Sequence, residues 1–232
     1  MIILGVNFSH DSSVCIIQDG RIIAAIEEEK VSRIKQDLGW PRLAIERLFF
    51  EHGIKKDDIN VVAVDRMVFD ELSNSEIKYR FSKSKLIKFQ ENVTRCLKYF
   101  LNQERKPIFQ SGKKCFHDEL IKNGFKNFEL VTFDHHLSHA ASVFYSSPVP
   151  INLVVTSDGM GGDSSFNFYS TEKEELNCIR KNDYKISVGG FYSMITMLLG
   201  FRPGRHEGKI TGLAAYGTDT SLVDQFTNFW KY

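Results

Sequence analysis

Residues 2–27 read IILGVNFSHDSSVCIIQDGRIIAAIE. Three short apolar runs stand out, at 2–7, 13–18 and 21–27, and each is rich in β-branched residues. Asp19-Gly20 separates the second from the third, and an Asp-Gly pair between apolar runs marks a tight hairpin because both turn residues tolerate positive φ. The polar loop NFSHDS joins the first two. The opening is therefore an antiparallel meander of three strands. Beyond it, Pro41 sits just inside a helical pattern whose apolar face is Leu43, Ile45, Leu48 and Phe49, ending near Gly53. Residues 59–64, INVVAV, read as a buried strand, and an adjacent parallel strand explains their unbroken apolar character.

Further along, 128–133 returns to strand character and 135–145 reads as a short helix rich in Ala and His. Residues 152–157 form a strand ending at Asp158-Gly159, with further strands at 165–170 and 174–180, a helix at 188–200 and another from Gly208. Strand, polar loop, strand, Gly turn, strand thus occurs twice. That repeat predicts two lobes of similar build: 1–150, including a helical insertion at 71–126, and 151–232. The second lobe stops after one meander and two helices, so it reads as truncated. Within the insertion, residues 76–126 hold thirteen Lys or Arg against five acids, with Phe residues interleaved. Two helices are expected there, at 76–103 and 116–123, with the Phe residues packed inward.

Composition narrows the class of protein. Hydrophobic residues make up 42% and charged residues 25%, which excludes disorder and coiled coil. A net charge of +1 gives no global field for nucleic acid or an anionic membrane. No apolar run approaches the roughly 18 residues of a membrane span. The N-terminus lacks a signal-peptide layout, and the four cysteines form no CxxC pair, so a cytoplasmic protein with reduced thiols is expected.

Several residues carry candidate chemistry. His135 and His139 lie four apart in the expected helix, so both imidazoles project from one face. That spacing suits two ring nitrogens on one transition metal, or a pair of hydrogen-bonded histidines near a helix end. Asp158 is the acid best placed by sequence to add a third ligand. HExxH protease logic is absent, since His136 stands where the general-base Glu would be. In the first loop, hydroxyls such as that of Ser12 and the backbone amides could cradle a phosphate or carbonyl oxygen, with His10 and Asp11 available for proton transfer. Gly159, Gly161 and Gly162 follow Asp158 and permit close backbone approach to an anion. Lys209 sits where it could meet a phosphate at a helix start, although the surrounding GRHEGKIT is not a Walker A loop. Glu27-Glu28-Glu29-Lys30, with Arg33 and Lys35 after it, reads as a solvated charged turn.

Four ordered stretches resemble the N-terminal part of the O-carbamoyltransferase family that includes nodulation protein U and tobramycin carbamoyltransferase. They are GVNFSHDSSVCIIQDGRIIAAIEEEKVSRIK, DHHLSHAASVFYSSP, VVTSDGMGGDSS and EGKITGLAAYG. The resemblance implies an α/β fold of the actin/Hsp70-like (ribonuclease H-like) two-lobed type. It also implies use of ATP and carbamoyl phosphate, with a C-terminal YrdC-like domain, on this chain or a separate one, making carbamoyl adenylate. The N-terminal part would pass the carbamoyl group to a hydroxyl of a small molecule. By the family pattern His135, His139 and Asp158 hold a divalent metal, iron first, while a further downstream Asp ligand has no counterpart here. His10, Asp11 and Lys35 fall where the family places polar residues near the carbamoyl and acceptor groups. Val31 and Gln36 replace a usual aromatic and a frequent His, which points to a different acceptor pocket. Two other readings stand beside this one: a non-catalytic module binding nucleotide or a partner, and a tRNA threonylcarbamoyl transfer subunit. An unfinished sheet edge would also favour self-association, such as a homodimer.

Overall fold

A computed structural model describes residues 1–9, 11–66, 68–69, 72, 74–82, 109–172, 175–183, 187–218 and 220–229. Strands β1 (Ile2–Asn7), β2 (Ser13–Gln18) and β3 (Arg21–Glu27) form the expected meander. β1 and β2 pair antiparallel from Ile2↔Gln18 to Asn7↔Ser13, and the β2–β3 turn places Asp19 at φ 49° and Gly20 at φ 79°. Strand β4 (Val61–Asp65) pairs parallel with β1, and β5 (Glu129–Phe133) pairs parallel with β4. The sheet order is β3-β2-β1-β4-β5. This mixed order, a meander flanked by parallel strands, is that of an actin-like, ribonuclease H-like α/β lobe.

Two compact units divide the chain, Met1–Val154 with Tyr169–Asn177, and Val155–Phe168 with Cys178–Tyr232. In the first, helix α1 (Glu28–Ser32) follows β3 directly, and α2 (Arg42–His52) buries Ala44, Ile45, Leu48 and Phe49 against the sheet residues Leu4, Val14 and Ile16. The charged turn at 27–30 is not wholly solvated. Glu28 is fully buried, and its carboxylate accepts the Leu43 and Ala44 N–H groups at 3.2 and 2.8 Å. A negative group at a helix start satisfies amides that have no intrahelical partner. Gly53, at φ 65°, closes the helix by donating its N–H to the Phe49 carbonyl.

The insertion contributes α3 (Asn74–Ser82) and α4 (Phe109–Lys122), while residues 83–103 of the first expected helix lie outside the described residues. Among the described residues its Phe side chains Phe81, Phe116 and Phe125 pack inward, as the sequence predicts. Phe116 is fully buried, with ring centroids 5.0 Å from Phe8, 5.1 Å from Phe81 and 5.4 Å from Phe69. Trp40 stacks on Phe81 at 4.9 Å. The buried Arg80 guanidinium donates to the Phe8 carbonyl at 3.0 Å, and the Arg80 carbonyl accepts the Trp40 N–H. Gly39 makes that approach possible, since a Cβ there would lie 2.8 Å from the Arg80 carbonyl oxygen.

Helix α5 (His135–Phe144) buries Ala140 against Val154 and Tyr169, with Leu137, Phe144, Ile151 and Leu176 around them. A three-stranded sheet, order β6-β7-β8, is built from β6 (Leu153–Gly161), β7 (Ser164–Glu172) and β8 (Glu175–Asp183). The second unit adds α6 (Val188–Leu198), α7 (Glu207–Ala214) and α8 (Val223–Phe229). On α6 Thr196 is buried, whereas Met197 and Leu198 are exposed.

Phe116→Ala empties the centre of the aromatic cluster and should cost about 3–5 kcal/mol. Phe50→Ala, at a side chain 89% exposed on α2, should change stability by less than about 0.5 kcal/mol. Denaturant unfolding of both variants checks the contrast.

Candidate active site

The C-terminal ends of β4 and β5 bring together residues far apart in sequence. Register pairs Asp65 with Phe133, and the Arg66 N–H donates to the Phe133 carbonyl at 2.9 Å. Asp134 follows and caps α5, its carboxylate accepting the Leu137 N–H at 3.1 Å. The helix therefore begins at His135, beside the end of β4. His135 Nδ1 lies 2.5 Å from Asp65 Oδ2, with the two side chains only 18% and 21% exposed. One helical turn later, His139 places its Nε2 3.1 Å from His135 Nε2, the rings nearly perpendicular at 85°. His136, about 100° around the helix, is fully buried instead.

This arrangement fixes the chemistry open to His135. A carboxylate is acceptor-only, so a neutral His135 beside it carries its proton on Nδ1 and turns the Nε2 lone pair toward His139. Two nitrogens each about 2.0–2.1 Å from one ion lie roughly 2.9–3.4 Å apart for angles between 90° and tetrahedral. The observed 3.1 Å falls within that range, so the pair fits a shared divalent transition ion. Without an ion, the same distance makes one histidine the donor to the other. Asp65 is the residue that sequence reasoning missed. Its signal was a carboxylate at the end of a parallel strand, where ligand sites in α/β sheets form.

The polar loop after β1 is ordered by its own side chains. The Asn7 amide donates to the Asp11 carbonyl at 3.1 Å and its oxygen accepts the Ser9 N–H at 3.0 Å. Asp11 adopts a left-handed backbone, φ 53°, while His10 lies outside the described residues. Ser12 is buried, and both its N–H and its hydroxyl donate to the Asp37 carbonyl. The hydroxyl therefore braces the loop from beneath. Lys35 is exposed. Nearby, the Gln36 N–H donates to the Glu29 carboxylate at 2.8 Å, and this bond, helped by Lys30 and Lys35, holds Glu29 below the usual carboxylate range.

In the second unit, the expected glycine-rich loop is mostly strand. β6 continues through Asp158, Gly159 and Gly161, and the turn is confined to Gly162, at φ 73°, and Asp163. The run reads as a loop by composition, yet here it is strand, and Gly189 approaches its backbone closely. A Cβ on Gly189, at the start of α6, would lie 2.9 Å from the Gly159 Cα. The Ser187 hydroxyl ties the two segments, donating to the Gly159 carbonyl at 2.6 Å and accepting the Gly190 N–H at 2.9 Å. Asp158 Oδ1 accepts the Gly159 N–H at 2.6 Å. Lys209 is exposed in the first turn of α7. Beside it, Glu207 accepts the Gly204 N–H at 2.6 Å and the Ser193 hydroxyl at 2.8 Å. Partial burial pushes the Glu207 carboxyl up, but these bonds outweigh it, so the group titrates below its ordinary value. Among the described residues no helix is long and apolar enough to cross a membrane.

Comparison with known proteins places these features in context. The family model for the carbamoyltransferase N-terminus matches residues 2–231. Nodulation protein NolNO of Sinorhizobium fredii is 27% identical over 228 residues, covering 97% of this chain and 30% of that protein. The uncharacterised protein MJ1051 of Methanocaldococcus jannaschii is 30% identical over 214 residues, covering 92% of this chain and 33% of that protein. The chain thus spans about a third of the length of these relatives. Among solved structures, YeaZ from Pseudomonas aeruginosa aligns over 78% of this chain and 64% of its own, at 11% identity and a TM-score of 0.38.

Glu207, with its lowered folded-state pKa, contributes stability that is present above the unfolded carboxyl value and lost as pH falls through the folded one. Glu207→Gln should therefore be less stable than wild type at neutral pH, by on the order of 1 kcal/mol. The gap should close on acidification, and thermal melts from pH 7 down to pH 3 check it.

Proposed function

The chain belongs to the carbamoyltransferase N-terminal family, and on that premise we propose that it forms the acceptor-carbamoylating part of a metal-assisted O-carbamoyltransferase. The observation that carries this reading is the His135–His139 pair, with facing Nε2 atoms and Asp65 behind His135, inside the stretch DHHLSHAAS. In the proposal His135, His139 and Asp158 hold a divalent metal, iron in the first instance. A bound ion of this kind supplies Lewis acidity for a carbonyl or phosphate oxygen. The carbamoyl donor is carbamoyl adenylate, made from ATP and carbamoyl phosphate by a YrdC-like partner domain or chain.

The chain's own groups then do three things. The hydroxyl oxygen of a small acceptor attacks the carbamoyl carbon, the bond to the adenylate phosphate breaks, and the hydroxyl proton passes to His10, oriented by Asp11. Lys35 offsets negative charge near the acceptor. The backbone N–H groups at the Gly162 turn and the Lys209 ammonium bind phosphate oxygens, in the manner of amides aimed at developing charge.

Elemental analysis of untagged protein tests the metal reading. Wild type should carry about one transition ion per chain, in keeping with a specific site. The His135→Ala/His139→Ala variant should carry none and should lose transfer from supplied carbamoyl adenylate by at least about 100-fold. Metal-free wild type, or full metal in the double variant, would contradict the reading.

A further inference from the structure

We propose that Asp65 is a positioning residue that prepares His135 to bind the metal, by fixing both its tautomer and its ring orientation. This rests on the reading of His135 and His139 as ligands of one ion. Three observations carry it. First, the carboxylate meets Nδ1, the nitrogen facing away from His139, at 2.5 Å, so the Nε2 lone pair is turned toward the shared site. Second, the contact joins elements 70 residues apart and follows from the Asp65↔Phe133 register, so sheet pairing and not local sequence delivers it. Third, Asp65 is not needed to start the helix, because Asp134 already caps α5 through the Leu137 N–H.

The physical consequence follows from hydrogen-bond chemistry. Free imidazole exchanges between two neutral tautomers, and only the one protonated on Nδ1 offers Nε2 as a ligand. A carboxylate on Nδ1 selects that tautomer before the ion arrives. It also raises the basicity of Nε2 and restrains rotation of the ring, and loss of such a partner weakens metal affinity about 10- to 100-fold in comparable sites. The ligand class expected is a divalent transition ion suited to imidazole nitrogen.

The test is Co2+ titration of the 232-residue chain, read by its visible absorption, for wild type, Asp65→Asn, Asp65→Leu and His139→Ala. The isosteric Asp65→Asn variant should bind about 10-fold more weakly and Asp65→Leu weaker still, up to about 100-fold, while His139→Ala should lose the site. Long-range proton–nitrogen NMR of the metal-free protein supplies a second readout that a merely structural role would not move. His135 should be protonated on Nδ1 in wild type and shift toward Nε2 protonation in Asp65→Leu. If the Leu variant does not fold, Asp65→Asn decides alone. Wild-type affinity in Asp65→Asn, with His139→Ala inactive in binding, would overturn the role given to Asp65. Undiminished binding by His139→Ala would instead overturn the metal reading itself, and this inference with it.

Discussion

Parallel pairing of β4 with β5 decides which residues meet at one edge of the first sheet. Val62, Val64 and Leu130 are buried, and their alternation with half-exposed neighbours fixes the register. A one-residue slip would turn every side chain to the other face. With Asp65 opposite Phe133, the chain needs only Asp134 to leave the strand and start a helix, and His135 arrives beside the carboxylate. The helical period then returns His139 to the same face. An apolar constraint on strand pairing thus assembles a polar site from residues with no local relation.

A second constraint acts on the loop after β1. Phe8 leaves the strand into the core of the aromatic cluster, and its carbonyl is held by Arg80 from the insertion. At the other end, Ser12 is bound to Asp37 through both its N–H and its hydroxyl. Ser9 and Asp11 are therefore held between two fixed points. The basic insertion is part of the scaffold that sets this loop, through Arg80, Phe81 and Phe116 packed beneath it.

Much of this was legible in the sequence, for identifiable reasons. The meander was marked by β-branched runs and Asp19-Gly20, the parallel strand by INVVAV, and the histidine pair by its spacing of four. Each depends on local pattern. Asp65 was not legible, because its role arises from strand register, which brings it to a histidine 70 residues further along the chain. Glu28 was hidden in a charged run, and only the fold of α2 onto α1 shows that it is a buried cap. The glycines after Asp158 misled in the other direction. Their composition suggests a loop, whereas Gly159 and Gly161 lie in β6, and the residue that needs to lack a side chain is Gly189, whose position meets the Gly159 backbone.

On this reading one sheet register builds a metal-binding histidine pair backed by a carboxylate. Crystals of the protein grown with Mn2+ or Zn2+, with anomalous diffraction collected at the metal edge, test it most directly. An anomalous peak is expected within about 2.0–2.3 Å of the Nε2 atoms of both His135 and His139, with Asp65 still on Nδ1. A peak elsewhere, or coordination of His135 through Nδ1 with Asp65 displaced, would contradict it.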